Sequence, residues 1–479
     1  VEHSRNPATA KFAALFRPVP AASLGVFRIT LGLAMLYEFS NMRPYVLHEL
    51  SYSRFFMTYE LFHWVRLVPR PWIDIVFAAG SIASVAVVLG LFTRTAKLVV
   101  FILYGYIFLL DKGHYNNHYY LFCLLNFLSL FLASERWGSI DRRRNREMSD
   151  FAPVWNIYVL RAQIIVVYVF GGIVKLNADW LAGFPMRIWL PQRSHWTWIG
   201  PWLATDEVAY FFSYTGVVFD LLIGFLLLSR RTRIWTIPVL LFFHVSNHFI
   251  WNIGAFPWFM IAATGLFFDP DWPERAIERL FGEQGARRRS REARLAAAQA
   301  RFEPPARASA TTALLAAWMA FQCLFPLRHL LQPGDPAWNG AGTFFAWHMM
   351  LDDRYDAVRV RIEVPEEGPI GQLNLQEYVN SRQFQKIGWD PTVFVRLARF
   401  VENEMKENGG IEDAAVYVDA YKSLNGRPYR RLIDPTVDLT QVETAWFGAR
   451  EYVLPLEPGL KPSATPPPPP ADSDSVRVP

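Results

Sequence analysis

WNIYVLRAQIIVVYVFGGIVK, residues 155–175, is an apolar run that ends in a lysine, Lys175. At ~1.5 Å per residue, a helix of this length covers the ~30 Å hydrocarbon core of a bilayer. Working outward from it, eight more stretches have the same character: 22–41, 72–92, 96–111, 117–134, 207–229, 233–250, 254–268 and 311–327. The segment 254–268 is short enough to be broken or tilted. The fold class predicted is an α-helical polytopic membrane protein of about nine transmembrane helices, with a small extracytoplasmic α+β domain. Residues 54–66, RFFMTYELFHWVR, read as an amphipathic piece at the membrane surface. The Trp- and Pro-rich region 181–204 suits an interfacial or re-entrant segment.

The totals agree with a mixed chain. Of 479 residues, 52% are hydrophobic and only 19% charged, too apolar for an ordinary soluble protein. A mean hydropathy of +0.12 nonetheless requires a polar part as well. Cys123 and Cys323 both lie in apolar runs and read as small buried hydrophobes, which leaves no disulfide framework and no cysteine metal site. The opening residues show no short apolar core followed by a small-residue cleavage site, so the first span serves as the membrane signal.

The net charge of +5 is concentrated in ERWGSIDRRRNRE (135–147), SRRTR (229–233), ARRRSREARLAAAQAR (286–301) and the turn around Arg94 and Lys97. With nine spans and a cytoplasmic N-terminus, all four fall on the cytoplasmic side, and the loops opposite carry little positive charge. The basic runs therefore report topology, and nucleic acid is not a partner. The same threading places residues 330–479 outside the cytoplasm.

Four regions result: an N-terminal cytoplasmic segment 1–21, a transmembrane domain 22–329, an α+β domain 330–460 and a Pro-rich disordered tail 461–479. VRVRIEV (358–364) alternates as a half-buried strand does. PTVFVRLARFVENEMKEN (391–408) has helical spacing and stops at Gly409-Gly410. AAVYVDAYKSLNGRPYRRLID reads as two strands joined at Asn425-Gly426.

Ionisable and amide side chains at membrane depth need a reason to be there. Three clusters stand out: His114, Asn116, Asn117 and His118; Lys175, Asn177 and Asp179 with Trp180; and His244, Asn247, His248 and Asn252. The threading puts all three at the outer ends of spans. Each has a bland reading, such as a snorkelling lysine or a satisfied helix terminus, but three at one depth and side point to a shared polar cavity. The i, i+4 histidine pairs lack an acidic partner in a metal-binding pattern, and no metal is expected. A lysine in an apolar pocket has its charged form destabilised and can act as a base. The residues alone stop at a membrane enzyme or transporter with a polar outer cavity.

A resemblance goes further. DKGHYNNHYYLFCLL (111–125), GGIVKLNADWLAG (171–183), FHVSNHFIWNIGAFPW (243–258), WHMMLDDR (347–354) and LNGRPYRRLIDPTVDL (424–439) resemble, in the same order, five segments of the vitamin K-dependent γ-glutamyl carboxylases, whose membrane part is of the HTTM type. That resemblance implies co-substrates: vitamin K hydroquinone (phylloquinol or menaquinol), O2 and CO2. It implies deprotonation of the hydroquinone by a lysine, oxygenation, proton abstraction from a glutamate γ-carbon, carboxylation, and release of the quinone epoxide. Lys175 stands where the family has its base, and His118 where it has the histidine linked to carboxylation. Asn116, Asn117, His244 and Asn247 match quinone-binding positions. Arg354, Arg427, Trp338 and Trp347 match the site for a glutamate-containing peptide or protein.

Two departures touch the glutamate side. Thr343 replaces a family tyrosine, and Asp352 replaces a family histidine and would repel a glutamate carboxylate. The chain also stops without the long C-terminal region of animal members, which suggests a bacterial homologue and a menaquinone. A hydroquinone oxygenase with a lost or different acceptor is therefore an alternative. A non-catalytic transporter or toxin-related protein is a second.

Overall fold

A computed structural model describes residues 7–281, 286–364, 368–443 and 450–465, with 467, 468 and 470. Apolar helices occur at each of the nine expected places: α1 (Ala22–Pro44), α2 (Trp72–Leu89), α3 (Thr93–Leu109), α4 (Asn117–Ser129), α5 (Trp155–Ile173), α6 (Asp206–Leu228), α7 (Arg230–Trp251), α8 (Phe256–Ala263) and α9 (Ala308–Leu324). Among the described residues, six helical segments, those built on α1, α2, α5, α6, α7 and α9, are long and apolar enough to cross a membrane. The helices α3, α4 and α8 are shorter, so the expectation of nine spans is met by full-length helices in six cases. Close packing between α5 and α6 depends on glycine. A Cβ on Gly172 would lie 2.8 Å from the Leu221 side chain, and one on Gly224 would lie 2.8 Å from Ile165. Small residues let helix backbones approach where lipid supplies no hydrophobic drive.

The bundle has two chemically different ends. At one end the basic segments gather. Asp141 accepts from the amides of Phe92 and Thr93 at 3.0 and 2.7 Å, capping the start of α3. Arg294 pairs with Asp150 at 2.8 Å, and Arg291 with Glu278 at 2.8 Å. Arg28 is buried there and donates to the carbonyls of Val88 and Gly138 at 2.6 and 2.8 Å. Lys97, read from sequence as part of a basic turn, is buried and donates to the Leu132 carbonyl at 3.1 Å.

At the other end sits the C-terminal domain. Its strands β1 (Arg354–Val364), β2 (Gly368–Leu373), β3 (Ala415–Leu424) and β4 (Arg430–Arg431) form an antiparallel sheet in the order β2-β1-β3-β4. The β1–β3 register runs from Arg354 opposite Leu424 to Glu363 opposite Ala415. Alternation buries Val416, Val418 and Ala420 on one face, where α11 (Thr392–Gly409) lays Val393, Leu397, Ala398 and Val401 against them. The shorter α10 (Ser381–Ile387) precedes it. Gly410, at φ 68°, ends α11 in the left-handed conformation that a β-carbon disfavours.

Polar contacts weld the domain to the helix ends. Lys112 donates to Asp390 at 2.6 Å and also reaches Glu60. Asp111 accepts from Gln383 Nε2 at 3.0 Å and from Tyr45 at 2.6 Å. Residues 54–66, expected as an amphipathic piece at the membrane surface, send Phe55 and Met57 into the core of the C-terminal domain, and the Phe55 amide donates to the Tyr378 carbonyl at 2.9 Å. Region 181–204 forms short helical turns, with Trp198 90% and Trp202 72% exposed. Cys323 is exposed on α9 rather than buried. Most of the Pro-rich tail lies outside the described residues.

Candidate functional site

Between the helix ends and the C-terminal domain lies a cavity of about 900 Å³. Its helical side presents Asn116, Asn117 and His118 from the start of α4, Glu38 from α1, and Asn252 and Phe256 from the α7–α8 turn. Its domain side presents His348, Met349, Asp352, Arg354, Lys386 and Trp389. Of the three polar clusters expected to share one cavity, the first lines it through Asn116, Asn117 and His118 and the third through Asn252, while Lys175, Asn177, Asp179 and Trp180 are not among its lining residues.

Asn116 has extended backbone, φ −140° and ψ 148°, and its carbonyl receives the Tyr120 amide, so helix α4 begins at the cavity. Asn117 is fixed at both ends of its amide. Its Nδ2 donates to the His348 carbonyl at 2.8 Å, and its Oδ1 accepts from Tyr115 at 3.1 Å. His118 packs edge-on to Tyr119, ring centroids 4.2 Å apart, and 5.6 Å from Phe256. His114 lies away from the cavity, stacked between Tyr45 and Tyr119 at 4.3 and 5.0 Å.

Lys175 sits just behind this wall, one residue past the α5 cap residue Val174. Its Nζ donates to the Gly171 carbonyl at 3.1 Å and to Asp220 Oδ2, on α6, at 2.5 Å. Both side chains are buried. A Cβ on Gly171 would lie 3.0 Å from Met349 Cε and 3.4 Å from Asp220 Oδ2. Met349, a cavity residue, therefore touches the same helix turn as the ion pair. Asp220 is a partner that the sequence reading missed. A lone acid in the middle of an apolar span was the signal that could have found it. Asp220 gives Lys175 a charge partner within hydrogen-bond reach.

His244 is buried on α7, with Nε2 2.8 Å from the Tyr168 hydroxyl and its ring 6.5 Å from Phe256. His118 and His244 thus flank the same phenylalanine. Asn247, three residues further along α7, is half-buried and does not line the cavity. Among the described residues, no three His, Cys, Asp or Glu side chains converge as metal ligands.

The four residues matched to the glutamate site are scattered. Arg354 lines the cavity, but Asp352 takes its Nε at 2.5 Å and its Nη2 at 2.7 Å. Asp352, expected to repel an incoming carboxylate, instead neutralises the arginine meant to bind it. Arg427 is away from the cavity. It grips Asp179 through Nη1 and Nη2 at 2.6 and 2.7 Å and donates to the Leu460 carbonyl at 2.9 Å. Burial alone would push the Asp179 carboxyl up. Hydrogen bonds from Arg427 and Asn425 hold it below the usual range. Trp338 is a core residue of the C-terminal domain, its Nε1 bonded to the Leu454 carbonyl at 2.8 Å. Trp347 is fully buried in the helical core, 5.0 Å from the Tyr120 ring. Thr343 is also buried, its hydroxyl donating to the Gly340 carbonyl at 2.9 Å. Lys386 and Trp389 went unnoticed in the sequence because nothing in their spacing relates them to Arg354.

A family model described as HTTM domain matches residues 16–272. A second, described as vitamin K-dependent gamma-carboxylase, lumenal domain, matches residues 307–458. No solved structure matches the chain.

Proposed function

We propose, from the premise that this chain belongs to the vitamin K-dependent gamma-carboxylase family, that it couples epoxidation of vitamin K hydroquinone by O2 to γ-carboxylation of glutamate residues. The observation that carries this reading is the buried Lys175–Asp220 pair, set against Met349 at the edge of a cavity that opens between membrane helices and a polar domain.

The cavity's chemistry suits a quinol. Its volume is at the upper end of the usual range for small-ligand sites. Phe256, Trp251 and Met349 offer apolar contact, and Asn116 and His118 offer partners for ring oxygens. When bound, the hydroquinone supplies an acidic hydroxyl and the electrons that reduce O2. Lys175 accepts the hydroxyl proton at Nζ, for which it must first be neutral. Asp220 provides a route to that state, because a proton passed from Nζ to Oδ2 across 2.5 Å leaves both groups uncharged in a dry site. The ammonium formed on accepting the proton is then held by Asp220 and the Gly171 carbonyl. His118 serves the carboxylation half, offering a ring nitrogen to the carboxyl group being formed.

The test uses purified protein, reduced vitamin K, a Glu-containing peptide and labelled CO2, with epoxide and peptide-bound label quantified together. Lys175→Ala is expected to lose both products by a factor of about 10²–10⁴, and His118→Ala to lose label while keeping epoxide. Epoxide formed by Lys175→Ala at the wild-type rate would sink the assignment of the base. A second reading keeps the hydroquinone chemistry and changes the acceptor, and the Arg354–Asp352 pairing favours it. Epoxide without label in the wild type would select that reading.

A further inference from the structure

Lys386 projects from α10 into the cavity, with Nζ 3.8 Å from the centroid of the Trp389 ring. Arg354 stands on the same indole at 5.1 Å. Around this one ring, several donors are unspent. Trp389 Nε1 and Arg354 Nη1 are buried without a hydrogen-bond partner. Lys386 makes no ion pair among the described residues, whereas Arg354 is paired with Asp352 and Arg427 with Asp179. Arg382, one turn earlier, is directed to His114 Nδ1 at 3.0 Å and over the Tyr45 ring.

We infer that Lys386, with Trp389 Nε1 and the open Nη1 edge of Arg354, forms the carboxylate-binding wall of the cavity and selects an acidic acceptor side chain. That the acceptor is a glutamate rests on the function proposed above; the preference for a carboxylate rests on the donors alone. Buried donors without partners are costly, and an anion accepting from these two and from Lys386 repays that cost through charge-assisted hydrogen bonds. The nearby acids do not cancel the site. Asp352 is committed to Arg354. Asp353 accepts from Trp189 Nε1 at 2.8 Å, and burial pushes its carboxyl up toward the neutral form. Burial pushes the Asp356 carboxyl up as well. This wall also accounts for the departure at position 352: the charge removed from Arg354 by its own neighbour is supplied from a different element.

The experiment measures binding of two capped tripeptides, Ala-Glu-Ala and Ala-Gln-Ala, to the full chain in detergent by calorimetry, with no quinone present. The wild type is expected to prefer the Glu peptide by tenfold or more. Lys386→Met should erase that preference while leaving the thermal unfolding midpoint within a few degrees, and Lys386→Arg should restore part of it. Equal binding of the two peptides by the wild type, binding of neither, or an undiminished preference in Lys386→Met would overturn the inference. Epoxide formation is measured separately. Epoxide and label absent with the Glu preference intact would overturn the proposed function and leave this site standing.

Discussion

Removing Asp220 alone should damage the protein more than removing its whole ion pair. Asp220→Leu leaves the Lys175 ammonium buried against a carbonyl and little else, and Lys175→Met leaves a buried carboxylate. An uncompensated buried charge costs about 3–5 kcal/mol, whereas replacing both members with apolar residues is often neutral. The double variant Lys175→Met/Asp220→Leu is therefore expected to unfold at a higher temperature than either single variant, though without epoxidase activity. A double variant as unstable as the sum of the singles would show that the two groups do not act as a pair. Lys386 gives a second prediction at this scale. Burial first, and the Arg354 charge second, lower its pKa to about 7, with Asp352 opposing. The protonated form is the one that holds a carboxylate. Affinity for the Glu peptide should therefore be full below that value and fall as pH rises above it, while affinity for the Gln peptide stays flat. Flat profiles for both would remove Lys386 from the recognition step.

The elements that join the two halves follow a different logic. The Arg427–Asp179 grip ties the β3–β4 connection to the short helix Ala178–Leu181, and Asn425 adds a bond to the same carboxylate at 2.7 Å. Lys112 and Arg450 hold the Asp390 carboxyl well down against the opposing effect of burial. Both acids have depressed pKa values in the folded state. Their contribution is present above the ordinary aspartate value of about 4 and is lost as pH falls through the depressed values. Docking of the C-terminal domain should thus loosen in acid, seen as faster proteolysis between α9 and β1 at pH 3 than at pH 7. Arg427→Ala should have the same effect at neutral pH, at a cost of about 3 kcal/mol. Unchanged proteolysis in both cases would mean the grip does not hold the domain. These ties are also where sequence reading stopped. Apolar length announced α5 and α6, and alternation announced β1 and β3. Residues 54–66 have the composition of a surface piece, yet several of their partners, Tyr378 among them, lie more than 300 residues away, and no local pattern encodes such a contact. Arg427 stands out by its motif, but nothing local relates it to Asp179, almost 250 residues earlier, which the sequence groups with Lys175 and Asn177.

For the molecule as a whole, the short helices decide how many of the nine apolar segments cross the bilayer. Helix α4 has 13 residues, about 20 Å of rise, against a core of ~30 Å. Irregular backbone is tolerated at membrane depth where protein buries it. The segment before α4 meets that condition: Asp111, Lys112 and Tyr115 are all buried, with Gln383, Asp390 and the Phe345 amide as partners. The segment after it is similar, with Ser134 and Glu135 buried. The contacts also fix which end each connection occupies. The connection from α3 to α4 bonds to the C-terminal domain, whereas the turn entering α3 bonds to Asp141 at the basic end. If the domain and the basic segments face opposite compartments, α3 and α4 must both cross despite their length. Single cysteines in a background lacking Cys123 and Cys323 decide it, using an impermeant maleimide on sealed vesicles of known sidedness. Arg144→Cys and Ser229→Cys, exposed at the basic end, should react from the cytoplasmic side. Ser194→Cys and Glu407→Cys, exposed at the other end, should react only from the opposite side. Reaction of Glu407→Cys and Arg144→Cys from the same side would leave the short helices as half-spans and reduce the crossings to fewer than nine. It would also put the cavity on the cytoplasmic face.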